Sequence, residues 1–114
     1  MSSNLIVNLT FDFAIKIVRY SHHLEENKKY VVAKQLLRSG TSIGANVREA
    51  QNAESKNDFI HKMKISAKEA GETEYWLLLC KETGYPNCDE LLDEVKSIIK
   101  VLSKIIIKCK KNLH

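Results

Sequence analysis

The chain has 114 residues and a mass of 13.0 kDa, of which 44% are hydrophobic and 28% charged. This is typical of one globular domain, covering residues 1–114, and excludes a disordered or collagen-like protein. One Pro and four Gly are too few for a β-sandwich, and the apolar runs are too short for a membrane span. We expect reduced thiols at Cys80, Cys88 and Cys109 and a cytoplasmic location, because no signal peptide precedes these cysteines.

Charge is distributed unevenly along the chain, although the net charge is only +4. Residues 1–53 carry a net +3, residues 54–94 a net −5, and residues 95–114 carry six lysines and no acid. A basic segment of this kind can attract nucleic acid, an acidic partner or an anionic surface. The alternative is that the lysines only solvate one face of a terminal helix and complement its dipole.

Apolar residues recur at helical spacing through almost the whole chain, which predicts four helices with short connections. The first covers about residues 9–26, and the second runs from near residue 30 to about residue 52. The positions assigned to the core of the first are Phe11, Ala14, Ile15, Val18 and His22. In the second, the apolar stripe stays in phase through Gly40, so we predict one unbroken helix in which Gly40 and Gly44 let a neighbour approach closely.

Start and stop signals mark the last two helices. Ser55 and Asp58 are predicted to open the third, and Gly84 to end it. Asn87 is the predicted N-cap of the fourth, with Glu90 at the capping-box position. The core stripe of the fourth helix follows a heptad pattern through Leu92, Val95, Ile99, Leu102, Ile106, Cys109 and Leu113. These elements predict an all-α fold, an antiparallel up-down four-helix bundle.

The third helix carries apolar residues on two opposite faces, of which only one can face the bundle core. With Met63 at the centre of the inward face, Trp76 falls on the opposite side among acidic residues. We therefore predict a homo-oligomer anchored by Trp76; the alternative is a monomer with this tryptophan lying flat on its surface. The residues assigned to the subunit interface are Arg38, Ser42, Ala45, Glu49, Ile65, Glu69, Glu72, Trp76 and Leu79.

Two polar residues fall near the predicted core. Glu74 points inward by its helical phase, and Asn46 borders the core stripe of the second helix. A buried carboxylate must be paired or protonated, and Arg38, Arg48 or Tyr75 could pair with it. Glu74 is then either an acid with a perturbed pKa or part of a structural polar network that fixes the helix register. We favour the network.

No residue pattern indicates catalysis, a cofactor or a metal. A di-iron bundle needs Glu-x-x-His pairs on two helices, and the chain has this spacing once, at Asp58 and His61, with aspartate in place of glutamate. His22 and His23 point about 100° apart and cannot chelate together. Cys88 lies near the first turn of the fourth helix, where a thiolate can be stabilised, but no base stands beside it in sequence. We expect no catalytic residue, no cofactor and no metal site.

Residues 35–50, QLLRSGTSIGANVREA, resemble the bacterial four-helix-bundle family called 23S rRNA-intervening sequence proteins. The residues that match the family pattern are Arg38, Ser42, Ile43, Asn46, Val47 and Glu49. Residues 55–60 resemble the family's start of the third helix, and residues 68–77 resemble one subgroup. The resemblance implies an up-down bundle that forms a ring-shaped homopentamer, without an established activity. Accessory proteins of diversity-generating retroelements, which are similar in fold, are associated with nucleic acid and a reverse transcriptase.

Two functions from different classes fit these observations. The first is a non-enzymatic homo-oligomer, a pentamer by resemblance, that binds RNA, DNA or a nucleoprotein partner through its lysine-rich C-terminal helix. The lysines assigned to this contact are Lys96, Lys100, Lys104, Lys108 and Lys111. No aromatic residue lies among them, so we expect little base stacking and low sequence specificity.

The alternative function is a protein-interaction scaffold with no nucleic-acid role. In that case the acids of residues 54–94 pair with the lysines of other subunits. An enzyme is a third possibility, and it requires a pocket assembled between subunits around Glu72 or Glu74. No membrane partner is expected.

Overall fold

The computed structural model describes residues 2–112, with side chains from residue 5 onward. It contains α1 (Ser2–Glu26), α2 (Tyr30–Ala50), α3 (Lys56–Glu82) and α4 (Asp89–Lys111), and the described residues form no strand. The predicted all-α class and the number of helices are confirmed. α1 begins about two turns before the predicted start near residue 9, and Ile6 extends its buried face by about one turn beyond Thr10.

Each helix packs against its neighbours in sequence, and α4 closes the bundle against α1. Connections of three to six residues leave no room for a crossover, so consecutive helices run antiparallel. The molecule is a rod of 49 × 21 × 20 Å with its core along the long axis. The predicted up-down bundle is therefore confirmed.

The buried face of α1 differs from the predicted one. Phe11, Ile15 and Val18, assigned to the core from their spacing, lie outside with 55%, 37% and 48% of their surface exposed. The core face is formed instead by Ile6, Thr10, Phe13, Ile17, Tyr20 and Leu24. Both faces of α1 are apolar, and a threonine within the true core face makes it look less apolar in sequence. The hydroxyl of Thr10 is satisfied there because it donates to the Ile6 carbonyl oxygen at 2.8 Å.

α2 runs unbroken through both glycines, as predicted, and ends at Ala50, slightly before the expected residue 52. A Cβ placed on Gly40 would lie 2.6 Å from Cγ2 of Ile17, and one on Gly44 would lie 3.2 Å from the Thr10 carbonyl oxygen. The missing side chains therefore let α1 and α2 approach closely, which confirms the role predicted for these glycines.

The buried stripe of α3 is rotated relative to the predicted one. Its members are Ile60, Met63, Ser66, Ala70, Thr73, Leu77 and Cys80. Glu74, predicted to point inward, is only half-buried at the edge of this stripe. From Met63 to Cys80 the stripe keeps heptad spacing once Ser66 and Thr73 are counted as core. These two residues are not recognisable as core by hydrophobicity.

Hydroxyl groups rather than Glu74 form the buried polar network between α2 and α3. The Ser66 hydroxyl donates to the Ile43 carbonyl oxygen at 2.8 Å, and the Thr73 hydroxyl donates to Ser39 Oγ at 2.9 Å. Asn46 is half-buried, and its side-chain amide donates to a carbonyl oxygen within α2 at 2.9 Å.

The ends of α3 follow the sequence signals. Ser55 is the N-cap, and its hydroxyl accepts from the Asp58 backbone N–H at 3.0 Å. Gly84 ends the helix with φ of 84°, a left-handed conformation that glycine adopts without strain, and Tyr85 N–H donates to the Cys80 carbonyl oxygen at 2.9 Å. Both predicted boundaries are confirmed.

The predicted cap of α4 is wrong. Cys88, not Asn87, is the N-cap, and its side chain makes no capping hydrogen bond. Asn87 instead has φ of 67°, a left-handed conformation that asparagine tolerates better than most residues and that turns the chain after Pro86. The Tyr20 hydroxyl donates to the Pro86 carbonyl oxygen at 2.9 Å, which ties this connection to α1.

The heptad stripe of α4 is buried in its first half only. Leu92, Val95 and Leu102 are buried. Ile99, Ile106 and Cys109 are half-buried, and Leu113 lies outside the described residues. No residue of α4 beyond Leu102 is fully buried within the part of the chain that the structure describes.

Candidate functional site

The predicted nucleic-acid contact lies along one side of α4, which we call the lysine face. Its members, Lys96, Lys100, Lys104, Lys108 and Lys111, are all exposed. At 100° per residue they occupy about 120° of the helix circumference, opposite the buried Val95 and Leu102. None of the ion pairs formed by residues 5–112 involves a lysine of α4. The structure therefore presents this face to solvent as an uncompensated positive stripe.

The basic surface continues from α4 onto α3. Lys64 lies beside Lys110, and the close approach and the charge of the second ammonium lower the pKa of Lys64. The sequence alone does not single out this pair, because Lys64 belongs to a segment of net negative charge and the packing of α3 against α4 brings the two together.

Three of the predicted interface residues form an ion-pair network on the outer side of α2 and α3. Arg38 Nη1 donates to Glu69 Oε1 at 3.0 Å, and Arg38 Nη2 donates to Glu72 Oε2. Trp76 Nε1 donates to the same Glu72 oxygen at 3.2 Å. Hydrogen bonds from Arg38 and Trp76 lower the pKa of Glu72, and the hydrogen bond to Glu72 raises the pKa of Arg38. The network joins the two helices within one chain.

The other predicted interface residues flank this network. Glu49 Oε1 accepts from Lys62 Nζ at 3.0 Å, and the Ser42 hydroxyl donates to the Arg38 carbonyl oxygen at 2.6 Å. Ala45 is exposed. The apolar members, Ile65, Trp76 and Leu79, are half-buried rather than fully outward-facing. Trp76 packs against the core on one side and meets Tyr75 edge-on, with the ring centroids 5.1 Å apart.

A second outer apolar surface lies between α1 and α2, where the sequence predicted core. Phe11 is exposed there, and the Arg48 guanidinium carbon lies 5.9 Å from the centre of its ring. The groove beside it has a volume of about 340 Å³ and is lined by Val7, Phe11, Ala14, Thr41, Gly44, Ala45 and Arg48. Apolar side chains on an outer face mark a surface that another molecule can cover.

Two of the three thiols are buried in the bundle. Cys80 and Cys88 are buried, Cys109 is half-buried, and all three are free. Burial, with a smaller contribution from Cys88, raises the pKa of the Cys80 thiol to about 11, so it carries almost no thiolate at neutral pH. Cys88 Sγ lies 2.8 Å from the Tyr20 hydroxyl at the start of α4.

The described residues contain neither a metal-binding cluster nor a helix that could span a membrane. Side chains of His, Cys, Asp and Glu form no group of three or more that could hold a metal ion there. Asp58 acts in the first turn of α3, and His61 is exposed. No helix in the described part of the chain has the length and apolarity needed to cross a membrane.

Residues 3–108 match the family model described as 23S rRNA-intervening sequence protein. The chain belongs to the 23S rRNA-intervening sequence protein family. It is also similar to the 1.70 Å crystal structure of a protein of unknown function from the S23 ribosomal protein family of Bacteroides thetaiotaomicron. The two share 44% sequence identity with a TM-score of 0.89, over 93% of this chain and 98% of that one.

No curated protein is significantly similar to the chain. Membership of the 23S rRNA-intervening sequence protein family is consistent with the four-helix bundle observed here. Neither the family description nor the related crystal structure names a catalytic activity, a ligand or a partner.

Proposed function

We propose that the protein is a homo-oligomeric bundle that binds nucleic acid through the lysine face of α4. The observation that supports this most is the exposure of all five lysines of that face, in a segment without a single acid. Lysines that neutralise phosphates release condensed counterions, and this gives an affinity that depends on salt more than on sequence. The proximity of Lys64 to Lys110 extends the same positive surface across two helices.

Self-association brings several copies of the lysine face into one particle, and this strengthens a contact that is weak in a single chain. The chain has two distinct apolar surfaces, an exposed one at Phe11 and Val18 on α1 and a half-buried one at Trp76 and Leu79 on α3. Two different surfaces on one chain fit a head-to-tail contact, which closes into a ring when the rotation permits. Five is the number of subunits that the family resemblance implies. A ring then carries one lysine face per subunit and binds a long polyanion with the avidity of several linked contacts.

The scaffold alternative requires acids that are free to pair with the lysines of another subunit. Many acids of residues 54–94 already pair within the chain. These pairs are Glu69 and Glu72 with Arg38, Asp89 with Lys81, and Glu90 and Glu94 with Lys16. Half of the ten acids of this segment are thus engaged within their own chain, which leaves fewer of them for the lysines of another subunit and favours an external polyanion as the partner of the lysine face.

The test is fluorescence anisotropy with labelled single-stranded RNA and labelled duplex DNA over a salt series. Lys104→Glu combined with Lys108→Glu reverses charge in the middle of the lysine face. The control, Lys28→Glu combined with Lys34→Glu, makes the same change in net charge at the opposite end of the bundle. We expect the wild type to bind both probes with log Kd rising linearly with log salt. The lysine-face variant should lose at least about tenfold in affinity at low salt, and the control should lose far less.

Light scattering of the same proteins measures their assembly, and we expect a multiple of 13.0 kDa for all three. Absence of binding at low salt, or an affinity that does not change with salt, contradicts the nucleic-acid function. If the lysine-face variant instead dissociates into single chains, the scaffold function is supported. A wild-type mass of one chain contradicts self-association.

A further inference from the structure

Gly71 lies in the middle of α3, where the packing of the chain gives no reason for a glycine. A Cβ built on Gly71 meets no atom within 4 Å, whereas one on Gly40 or Gly44 would press on α1. Glycine in a helix interior weakens the helix relative to alanine, because its backbone loses more freedom on folding. At Gly40 and Gly44 close helix packing offsets this cost. At the exposed Gly71 no contact within the described part of the chain does so.

The surface around Gly71 combines positive charge with an exposed aromatic ring. Residues 64, 68, 71, 75 and 78 follow one another in steps of four and three, so they share one side of α3. Lys64 and Lys68 precede Gly71, and Tyr75 and Leu78 follow it, with 56% and 42% of their surfaces exposed. The Tyr75 ring packs edge-on against the Trp76 ring, with the ring centroids 5.1 Å apart.

α4 supplies the second side of this surface. Residues 96, 100, 103, 107 and 110 follow the same steps of four and three and share one side of α4. Because Lys64 lies beside Lys110 and the helices are antiparallel, Tyr75 is level with about Lys100. Ile107 is 55% exposed on the same side. Tyr75 and Gly71 therefore lie between lysines of two helices, and we call this region the α3–α4 surface.

We propose that the α3–α4 surface binds single-stranded nucleic acid, with an unpaired base stacked on Tyr75 and the sugar-phosphate backbone passing over Gly71 between the lysines. This inference rests on the proposed nucleic-acid function and specifies its ligand. A tyrosine ring held at the surface stacks only on a base that is free of its own partner, so a single strand fits and a duplex does not. A side chain at residue 71 would fill the space that the sugar-phosphate backbone of the bound strand needs.

A second copy of this chain is the competing occupant of the α3–α4 surface. Charge argues against it, because the surface carries Lys64, Lys68, Lys96, Lys100 and Lys110. Five of the ten acids of residues 54–94, which could complement these lysines from another copy, already pair with cations of their own chain. A polyanion satisfies both the lysines and the aromatic ring.

The test compares labelled single-stranded oligouridylate of about 12 nucleotides with a hairpin duplex of similar length by anisotropy. The variants are Tyr75→Ala, Tyr75→Phe and Gly71→Gln, and Tyr30→Ala is the control, because Tyr30 is similarly exposed at the start of α2. We expect Tyr75→Ala to weaken single-strand binding by about 5- to 150-fold, and Tyr75→Phe to retain it, since the ring is what stacks. Duplex affinity should stay unchanged in both, because no lysine is altered.

Gly71→Gln tests whether the open space above residue 71 is needed for binding, because it fills this space without removing a lysine or the Tyr75 ring. We expect it to weaken single-strand binding while circular dichroism and thermal unfolding show an intact bundle. The single tryptophan provides an independent readout, because the Trp76 ring centre lies 5.1 Å from that of Tyr75 and its fluorescence should change on binding of the single strand.

Three outcomes overturn this inference. If Tyr75→Ala and Gly71→Gln both bind the single strand as the wild type does, no base stacks here. If Gly71→Gln dissociates the oligomer and leaves single-strand affinity unchanged, the α3–α4 surface is a subunit interface. If the wild type binds neither probe, the proposed function fails together with the inference, whereas binding that ignores Tyr75 leaves the proposed function intact.

Discussion

The Thr73 hydroxyl of α3 donates a hydrogen bond of 2.9 Å to the Ser39 hydroxyl of α2, and both side chains are completely buried. The neighbouring residues in sequence, Arg38 and Glu72, form the ion pair on the surface directly above. A buried hydroxyl pair and an exposed charge pair thus fix α2 against α3 at the same level of the bundle. Each can be removed separately, so their contributions to the free energy of unfolding are measurable one at a time.

Thr73→Val keeps the shape of the side chain and removes both the buried hydrogen bond to Ser39 and the 2.8 Å contact of the same hydroxyl with the Glu69 carbonyl oxygen. Ser39 then retains only a long contact of 3.5 Å with the Leu36 carbonyl oxygen. We expect a loss of about 1–3 kcal/mol in the free energy of unfolding, measured by urea denaturation, because a buried hydroxyl is left without a good partner. The double variant with Ser39→Ala should lose less than the sum of the two single changes. Additive losses would contradict a direct coupling.

The Arg38–Glu72 pair makes stability depend on acidic pH. Hydrogen bonding to Arg38 holds the pKa of Glu72 below its ordinary value, so the pair stabilises the fold above the unfolded-state pKa of about 4.3. That stabilisation is lost as pH falls through the lower folded-state pKa. Arg38→Gln should cost at most about 1 kcal/mol at neutral pH, since the pair is solvent-exposed, and much less near pH 2. Lys34→Gln is the control for charge, and an equal cost at both pH values would refute the coupling.

Two glycines in helices should respond to alanine in opposite directions. Gly40→Ala places a methyl group 2.6 Å from Cγ2 of Ile17, and we expect a loss of about 1–3 kcal/mol from overpacking. Gly71→Ala meets nothing within 4 Å, and we expect a gain of about 0.5–1 kcal/mol from helix propensity alone. Chemical denaturation of both variants provides the comparison. A stabilised Gly40→Ala would show that α1 and α2 are not closely packed there.

The three cysteines should differ in reactivity with a thiol reagent at mildly alkaline pH. Cys80 and Cys88 are buried, and burial raises the pKa of Cys80 to about 11, whereas Cys109 is half-buried. We expect one fast-reacting thiol in the native protein and three in denaturant. Cys109→Ser should abolish the fast phase and leave the slow ones. A fast phase that survives this substitution would place the reactive thiol at the α3–α4 connection instead.

The sequence predicts the helices of this bundle better than the faces that they bury. α2 and the ends of α3 were predicted correctly because Gly40, Ser55 and Gly84 each have one local physical role. The buried face of α1 was not predicted correctly, because this helix is apolar on two faces. Only packing against the other helices determines that Phe13 is buried and Phe11 is exposed. A local sequence pattern shows which faces of a helix can be buried, and the packing of the neighbouring helices determines which face is buried.

The candidate surfaces show the same division. The lysine face of α4 follows from the spacing of residues within one helix, and its lysines are exposed. Contact between α3 and α4 places Lys64 near Lys110 and Tyr75 beside the lysines of α4. No local sequence pattern reveals these two arrangements, because each depends on how the helices pack. The subunit interface assigned around Trp76 stays a prediction.

The last fully buried side chain of α4 comes before several of the lysines of this helix. Leu102 is its last fully buried side chain, while Lys104, Lys108 and Lys111 lie beyond it. Amide hydrogens in a segment with few buried contacts exchange through local opening, at a lower free energy than global unfolding. We therefore expect the amide hydrogens of the final turns of α4 to exchange faster than those of the turns before Leu102.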